Sequence, residues 1–222
     1  MSKQAGRMSQ GANDFLAPYA PTIGTATNVG SGRAYNNGRA DVTFTADPVN
    51  AATSFTVTSS PGGYTATGAS SPITVTGIAS TATPTFTVTA TNAAGTSAAS
   101  AASGSITVTT VPGQPAAPTV TTAAVGGASA QGSANSANDT VSWTAPANGG
   151  SGITNYYWAS SDGKSGNTGS TSVVVGQESG TAQTYTVRAD NACGSSATSP
   201  ASTSITSAFS FTPFGFTSLA LK

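Results

Sequence analysis

The chain has 222 residues, of which only 6% are charged, and seven basic and seven acidic side chains give a formal net charge of zero. This balance excludes the strong electrostatic field that steers proteins to nucleic acid or to an anionic membrane. The chain has no histidine and one cysteine, which excludes His-based catalytic triads, His-ligated metal sites, CxxC zinc sites and disulfides within the chain.

Residues 1–18 are predicted to form an N-terminal arm, because they are polar and contain one large apolar pair, Phe15-Leu16, beside the basic residues Lys3 and Arg7. They lack the apolar segment of a signal peptide, and no stretch of the chain is long enough to span a bilayer. We therefore expect a protein that stays in a cytoplasm or leaves it by a route other than general secretion. Such an arm either frays or becomes ordered on a partner. In the second case Arg7 and Phe15 are candidate partner-binding residues.

Residues 19–110 are predicted to form a first β-domain, because apolar residues alternate with threonine along several short segments. A period of two places one face of a strand in a core and the other face in water. Phe44 and Phe86 fall on inward positions and are expected in the core. The predicted strands are 22–27, 40–45, 54–59, 64–67, 73–76, a strand that begins at Phe86, and 105–109.

Residues 111–118 are predicted to form a linker, since their three prolines favour an extended, stiff chain and prevent a helix. Residues 119–208 are predicted to form a second β-domain, with Trp143 and Tyr185 in its core. Its predicted strands are 140–144, 153–158, 172–175, a strand that begins at Tyr185, and 202–206.

The second domain repeats the first. The segment Tyr185–Ser199 matches Phe86–Ser100 at an offset of 99 residues, including the Asn-x-x-Gly sequence that predicts the turn after the strand. The same offset places Trp143 on Phe44. A repeat of this length, present twice, fits two tandem β-sandwiches and predicts an all-β protein of the immunoglobulin-like class.

Residues 209–222 differ from both repeats and are predicted to form an aromatic C-terminal tail. Four of the chain's eight phenylalanines lie within eight residues there. These rings either pack back on the second domain or bind another protein. In the second case the candidate partner-binding residues are Phe209, Phe211, Phe214 and Phe216.

Four segments of the second domain carry a resemblance to a known family: Val141–Pro146, Gly149–Tyr156, Gly180–Asn191 and Gly194–Ser196. With them the domain resembles the fibronectin type III family of immunoglobulin-like sandwiches. The resemblance implies that Trp143 is a core residue and that Tyr185 forms the family's tyrosine corner. The first domain has phenylalanine at both corresponding positions, so it lacks the corner hydroxyl. The resemblance is specific for fold, while this fold serves adhesion, spacing and binding in unrelated proteins.

A looser resemblance is to the immunoglobulin-like domains in structural proteins of tailed bacteriophages. The shared traits are low charge, richness in Thr, Ala and Gly, and the absence of a signal peptide and of a disulfide pair. This resemblance implies an accessory protein of a virion, assembled in the host cytoplasm and present in multiple copies on the capsid or the tail. Its implied partners are other virion proteins and host cell-surface glycans, without nucleic acid or membrane insertion.

The alternative is a carbohydrate- or surface-binding module from a bacterial adhesin or a secreted hydrolase. The third possibility is an enzyme, but the sequence contains no recognisable catalytic motif. No Asp-x-Asp-x-Asp loop predicts a calcium site, and no glycine pair is followed by the lysine and helix of a phosphate-binding loop. Cys193 replaces Ala94 of the first repeat and is interpreted as a tolerated small residue rather than a redox thiol. We therefore expect no cofactor, no metal and no catalytic residue.

Overall fold

The computed structural model describes residues 16–124, 136–178 and 180–207. In this part of the chain there are sixteen strands, all pairings are antiparallel, and there is no helix. The described residues form two compact units. The first unit contains residues up to 112 together with 148–152 and 192–194, and the second contains 113–147, 153–191 and those from 195 onward. The predicted all-β class with two tandem sandwiches is confirmed.

The first unit has two sheets that share one core. Its strands are β1 (Thr22–Asn28), β2 (Gly38–Thr45), β3 (Ser54–Ser60), β4 (Thr65–Gly68), β5 (Ile73–Ile78), β6 (Thr85–Asn92) and β7 (Gly95–Thr96). One sheet has the order β1-β2-β5 and the other β4-β3-β6-β7. This is the arrangement of an immunoglobulin-like sandwich, in which the chain crosses from one sheet to the other after β2, after β4 and after β5.

The core of the first unit follows from the period-two pattern. In β2 and β6 every second side chain is buried, and the residues between them are threonine or another polar type. Phe44 packs on Phe55 with a distance of 4.8 Å between ring centroids and an interplanar angle of 48°. Phe86 is fully buried among the valines of the same cluster. Burial of each such ring contributes about 1.5–3 kcal/mol, so the aromatic residues stabilise the contact between the sheets.

The second unit repeats this architecture. Its strands are β8 (Thr119–Ala124), β9 (Ser136–Ser142), β10 (Ile153–Ser160), β11 (Ser165–Thr168), β12 (Ser172–Glu178), β13 (Ala182–Gln183), β14 (Tyr185–Asn191), β15 (Gly194–Ser195) and β16 (Ile205–Thr206). The two larger sheets have the orders β12-β9-β8 and β11-β10-β14-β15, and β13 pairs with β16.

Trp143 and Tyr156 form the aromatic centre of the second core, edge to face with 5.5 Å between ring centroids. They occupy the positions that Phe44 and Phe55 occupy in the first unit. The neighbouring strand β11 passes close to Trp158. A Cβ atom at Gly166 would lie 3.0 Å from the indole of Trp158, so glycine makes this approach possible.

A serine at every third position holds the segment that follows β6 and β14. Ser97, Ser100 and Ser103 each donate a backbone N–H to a carbonyl of β6, and their hydroxyls accept from the backbone N–H of the same β6 residues at 2.9–3.0 Å. Because three residues of the segment advance along two residues of the strand, the segment is not a strand. The equivalent residues of the second unit are Ser196, Ser199 and Ser202.

This geometry corrects two strand predictions. The strand predicted for 202–206 contains only Ile205–Thr206, because Ser202 belongs to the serine-spaced segment. The strand predicted for 105–109 is absent. Residues Ile106 and Val108 donate to the carbonyls of Pro84 and Ala82. Ala82 and Pro84 lie in a loop. Because Pro84 has no N–H group, it cannot donate the return hydrogen bonds that a β-ladder with residues 105–109 would need.

Candidate binding surface

The residues predicted to bind a partner, Phe209, Phe211, Phe214, Phe216, Arg7 and Phe15, lie outside the described residues. The described part of the chain begins at Leu16, directly after Phe15, and its first two residues accept hydrogen bonds from side chains of the first unit. The carbonyl of Leu16 accepts a hydrogen bond from Asn92 at 2.9 Å, and that of Ala17 accepts one from Asn50 at 3.3 Å. Residues 16 and 17 are therefore held on the first unit by asparagine side chains.

The four predicted core residues are all buried. Relative exposure is 7% for Phe44, 0% for Phe86, 8% for Trp143 and 0% for Tyr185. The indole nitrogen of Trp143 is buried and has no hydrogen-bond partner among the described residues. This unpaired N–H group lowers the stability of the second unit. The first unit has phenylalanine at the equivalent position, Phe44, and so has no such group.

The hydroxyl of Tyr185 differs from the tyrosine corner that the resemblance implies. In place of a backbone contact, it donates to the Asp139 carboxyl at 2.7 Å and accepts from the Gln177 side-chain amide at 2.8 Å. Ser207 adds a hydroxyl 3.3 Å from each oxygen of Asp139. Burial, together with the hydrogen bond to Asp139, raises the pKa of the Tyr185 phenol far above its ordinary value.

A lysine fixes the orientation of the Gln177 amide. The Lys164 ammonium donates to Gln177 Oε1 at 2.5 Å and to the Gly176 carbonyl at 2.6 Å, so that Gln177 Nε2 is left for Tyr185. Asp162 lies 3.4 Å from the same ammonium. Partial burial by itself would raise the pKa of Asp162, but hydrogen bonds from Ser160 and Lys164 and the lysine charge lower it overall.

The first unit replaces this polar network with apolar side chains at the paired positions. Gly38 pairs with Ile78 as Ala137 pairs with Gln177, and Ala40 pairs with Val75 as Asp139 pairs with Val175. The trio Tyr185, Asp139 and Gln177 thus corresponds to Phe86, Ala40 and Ile78, all fully buried. Since one sandwich folds without the network, we interpret it as a structural element of the second core.

The other candidate sites in the described part of the chain would be a metal cluster, the cysteine and an apolar cleft. No group of three or more His, Cys, Asp or Glu side chains in the described ranges could hold a metal ion. Cys193 belongs to the first unit, where it is buried and its thiol donates to the Thr109 hydroxyl at 3.3 Å. A cleft of about 330 Å³ beside Phe44 and Phe55 is mainly apolar. Its carboxyl, Asp47, accepts from the backbone of Val49.

The outer faces of the two four-stranded sheets are where the repeats differ most. In the first unit the outward positions of β3, β4, β6 and β7 hold serine and threonine alone. Cross-strand pairing aligns the threonines in rows across the sheet. The two complete rows are Thr65, Thr58 and Thr87, and Thr67, Thr56 and Thr89.

In the second unit the same outer face holds a cluster that we call the aromatic patch, formed by Asn155, Tyr157, Asn167, Arg188 and Asp190. Tyr157 pairs with Asn167 on one side and with Arg188 on the other, and Asn155 pairs with Asp190. The Arg188 guanidinium carbon lies 4.7 Å from the centroid of the Tyr157 ring. Arg188 Nε also lies 3.5 Å from Asp190 Oδ1.

The sequence predicts only part of this patch. Alternation along 185–191 places Arg188 and Asp190 on an exposed face, but the cross-strand register is needed to bring Tyr157 and Asn167 beside them. The serine-spaced segment was also missed, although its signal is visible as Ser-x-x-Ser-x-x-Ser after each Asn-x-x-Gly turn.

The solved structures that are similar to this chain include one from CNTN1 and one from titin. The FN1–FN3 domains of chicken CNTN1 align over 87% of this chain and 68% of that chain, with 16% identity and a TM-score of 0.44. Domains A168–A170 of titin align over 86% of this chain with 20% identity and a TM-score of 0.39. The chain spans 61% of that titin segment. No protein-family profile and no curated protein sequence matches the chain.

The strand orders of the two units are those of tandem fibronectin type III-like or immunoglobulin-like β-sandwiches. Within the described ranges no helix is long and apolar enough to cross a membrane.

Proposed function

We propose that this chain is a non-enzymatic accessory protein of a bacteriophage particle. It is attached to the capsid surface or, as the second choice, to the tail, and it displays two sandwiches outward for reinforcement of the particle or adhesion to the host. The observation behind the proposal is the contrast between the repeats. Their inner faces pair in the same registers, whereas their outer sheet faces hold unrelated side chains.

Such a contrast suits a display protein, in which the core maintains the fold and an outer face meets the partner. The buried polar side chains of the Tyr185 network are bonded to one another and do not converge on a pocket. Low charge agrees with attachment through apolar burial and backbone pairing rather than through long-range attraction.

Density-gradient purification followed by mass spectrometry tests the proposal. The chain is expected to sediment with intact particles at a fixed ratio to the major capsid protein, and to remain there after a wash at high salt. Recovery of the chain only in the soluble fraction of the host lysate would exclude the particle assignment.

The second candidate is a carbohydrate- or surface-binding module of an adhesin or a secreted hydrolase, and the aromatic patch is the observation that favours it. In that case the chain is expected to be covalently part of a larger extracellular polypeptide. An antibody against the chain distinguishes the candidates, because it detects a larger band in the culture medium for the module and a band of 21.4 kDa on particles for the accessory protein.

A further inference from the structure

We propose that the aromatic patch of the second unit binds a neutral saccharide chain. This rests on the proposed display function, for which it names the partner class and the surface. The patch spans the edge strand β11 and the two central strands, β10 and β14, of a four-stranded sheet. Adjacent strands lie about 4.8 Å apart, so the three strands present a surface about 10 Å wide, which matches one or two sugar rings.

The platform of the patch is already ordered without a ligand. Arg188 stacks on Tyr157, and the Asp190 carboxyl lies beside the guanidinium at 3.5 Å. The side chains of Arg188 and Asp190 are 41% and 26% exposed, so both are reachable from solvent and partly confined by the sheet. A site placed on strands and held by neighbouring side chains loses little entropy when it binds.

Most hydrogen-bonding capacity of the patch is unused. Among the described residues, the side-chain amides of Asn155 and Asn167 and the hydroxyl of Tyr157 have no hydrogen-bond partner. The terminal nitrogens of the guanidinium are likewise unbonded. Sugar hydroxyls both donate and accept, and amide, guanidinium and carboxyl groups together supply both complements. The Arg188 guanidinium lies over one face of the Tyr157 ring, so the apolar face of a sugar ring would pack on the rest of that ring's surface.

The charges of the patch favour a neutral ligand. Arg188 and Asp190 cancel, and Asp190 would repel a phosphate or carboxylate brought to the guanidinium. The chain as a whole has a formal net charge of zero, so no surrounding field attracts an anion.

The first unit supplies a matched reference for the patch. At the equivalent positions it has Ser54, Thr56, Thr67, Thr89 and Thr91, which pair in the same register. These residues fit the same fold, but they provide neither an aromatic platform nor an amide. Replacing the patch with them should therefore remove binding while the sandwich is retained.

Affinity electrophoresis of the purified full chain tests the proposal. The gels contain a soluble glucan, mannan, galactan or xylan, with dextran sulfate as the anionic comparison. The replacement variant carries Asn155→Ser, Tyr157→Thr, Asn167→Thr, Arg188→Thr and Asp190→Thr. The control variant carries Thr56→Ala and Thr89→Ala on the first unit.

At least one neutral polysaccharide is expected to retard the native chain and the control variant equally. The replacement variant should bind at least about tenfold more weakly, as expected when the central residues of an interface are removed, while its tryptophan fluorescence shows a folded second unit. A reciprocal variant, with the five patch residues placed on the replacement variant's first unit, should recover retardation.

Three results would overturn the proposal: retardation by none of the four neutral polysaccharides, retardation by dextran sulfate alone, or equal retardation of the folded replacement variant. The assay uses the isolated chain, so its outcome is separate from particle attachment. If the chain is absent from particles but binds a neutral polysaccharide through the patch, the particle assignment fails and the saccharide site stands.

Discussion

Removing the Tyr185 hydroxyl should destabilise the second sandwich far more than the loss of one oxygen atom would indicate. In Tyr185→Phe the buried Asp139 carboxyl loses its 2.7 Å donor and the Gln177 amide loses its acceptor. Among the described residues, Asp139 then keeps only the Ser207 hydroxyl at 3.3 Å, and Gln177 Nε2 has no partner. Each buried polar group that loses such a hydrogen bond costs about 1–3 kcal/mol. We therefore expect a loss of about 2–4 kcal/mol in the free energy of unfolding, a large part of a domain's total stability.

The assay is urea unfolding followed by tryptophan fluorescence. Both tryptophans of the chain, Trp143 and Trp158, lie in the second unit, so the signal reports this sandwich alone. With a denaturant slope of about 2 kcal/mol per molar urea, the midpoint should fall by about 1–2 M.

A triple variant built from the first repeat separates the network from simple packing. It combines Tyr185→Phe, Asp139→Ala and Gln177→Ile, the residues found at Phe86, Ala40 and Ile78. Replacing a whole buried polar group by apolar side chains is often neutral, whereas breaking it is costly. The triple variant should therefore be at least as stable as Tyr185→Phe. A single-variant cost below about 0.5 kcal/mol, or a triple variant with a further large loss, would refute this reasoning.

The raised pKa of Tyr185 gives the same network a pH signature. Its ordinary value is 10.0, and burial raises it in the folded state. The unfolded chain therefore releases this proton first, so the stabilisation is complete below about pH 10 and is lost as pH rises toward the folded-state value. The free energy of unfolding should fall by up to about 1.4 kcal/mol per pH unit above that point. Tyr185→Phe should reduce this slope. An unchanged slope would show that other groups cause it, of which the buried Tyr156, with a raised pKa, is the first to examine.

Three further predictions concern other parts of the chain. Trp143→Ala should cost about 3–5 kcal/mol but Trp143→Phe only about 1.5 kcal/mol or less, because the indole N–H is buried and unpaired; equal costs in urea unfolding followed by Trp158 would contradict this. Ser199→Ala should cost about 1–3 kcal/mol, since the Val187 N–H loses its 3.0 Å acceptor, and a matched loss in the exposed control Thr198→Ala would contradict it. Deleting residues 209–222 should release the chain from particles in co-sedimentation with both sandwiches still folded, and deleting 1–17 should weaken attachment less and in a salt-dependent way; full occupancy of the C-terminal deletion would place the anchor elsewhere.

Period-two alternation predicted several of the strands whose neighbours are also strands, although β8 and β11 were not predicted. The strand predicted at 54–59 is Ser54–Ser60, and that predicted at 153–158 is Ile153–Ser160. The prediction failed where alternation continues but the partner is a loop, as at 105–109. It also failed at 202–204. There Ser202 is hydrogen-bonded to Tyr185 of β14 as part of the serine-spaced segment, in which three residues advance along two residues of the strand. The alternation of apolar and polar residues describes a single segment, whereas strand formation also depends on the segment that lies next to it in the fold.

The candidate site was harder to predict than the fold for the same reason. Tyr157 and Arg188 are 31 positions apart in the sequence and meet only through the register of β10 on β14. In the sequence, the clearest signal of a binding segment is the high phenylalanine content of the C-terminal tail. A binding patch of ordinary polar residues shows no compositional signal, and its recognition here depends on comparison with the threonine face of the first repeat.

Electron microscopy of purified particles tests the central claim most directly, because it shows both attachment and display. The account predicts, on the outer surface of the capsid or the tail, repeated projections that each contain two successive β-sandwich densities. The density of the second sandwich should be lost when residues 119–208 are deleted and the C-terminal tail is kept. Particles that contain the chain by mass spectrometry but show no such external density, or identical reconstructions with and without the chain, would contradict the claim.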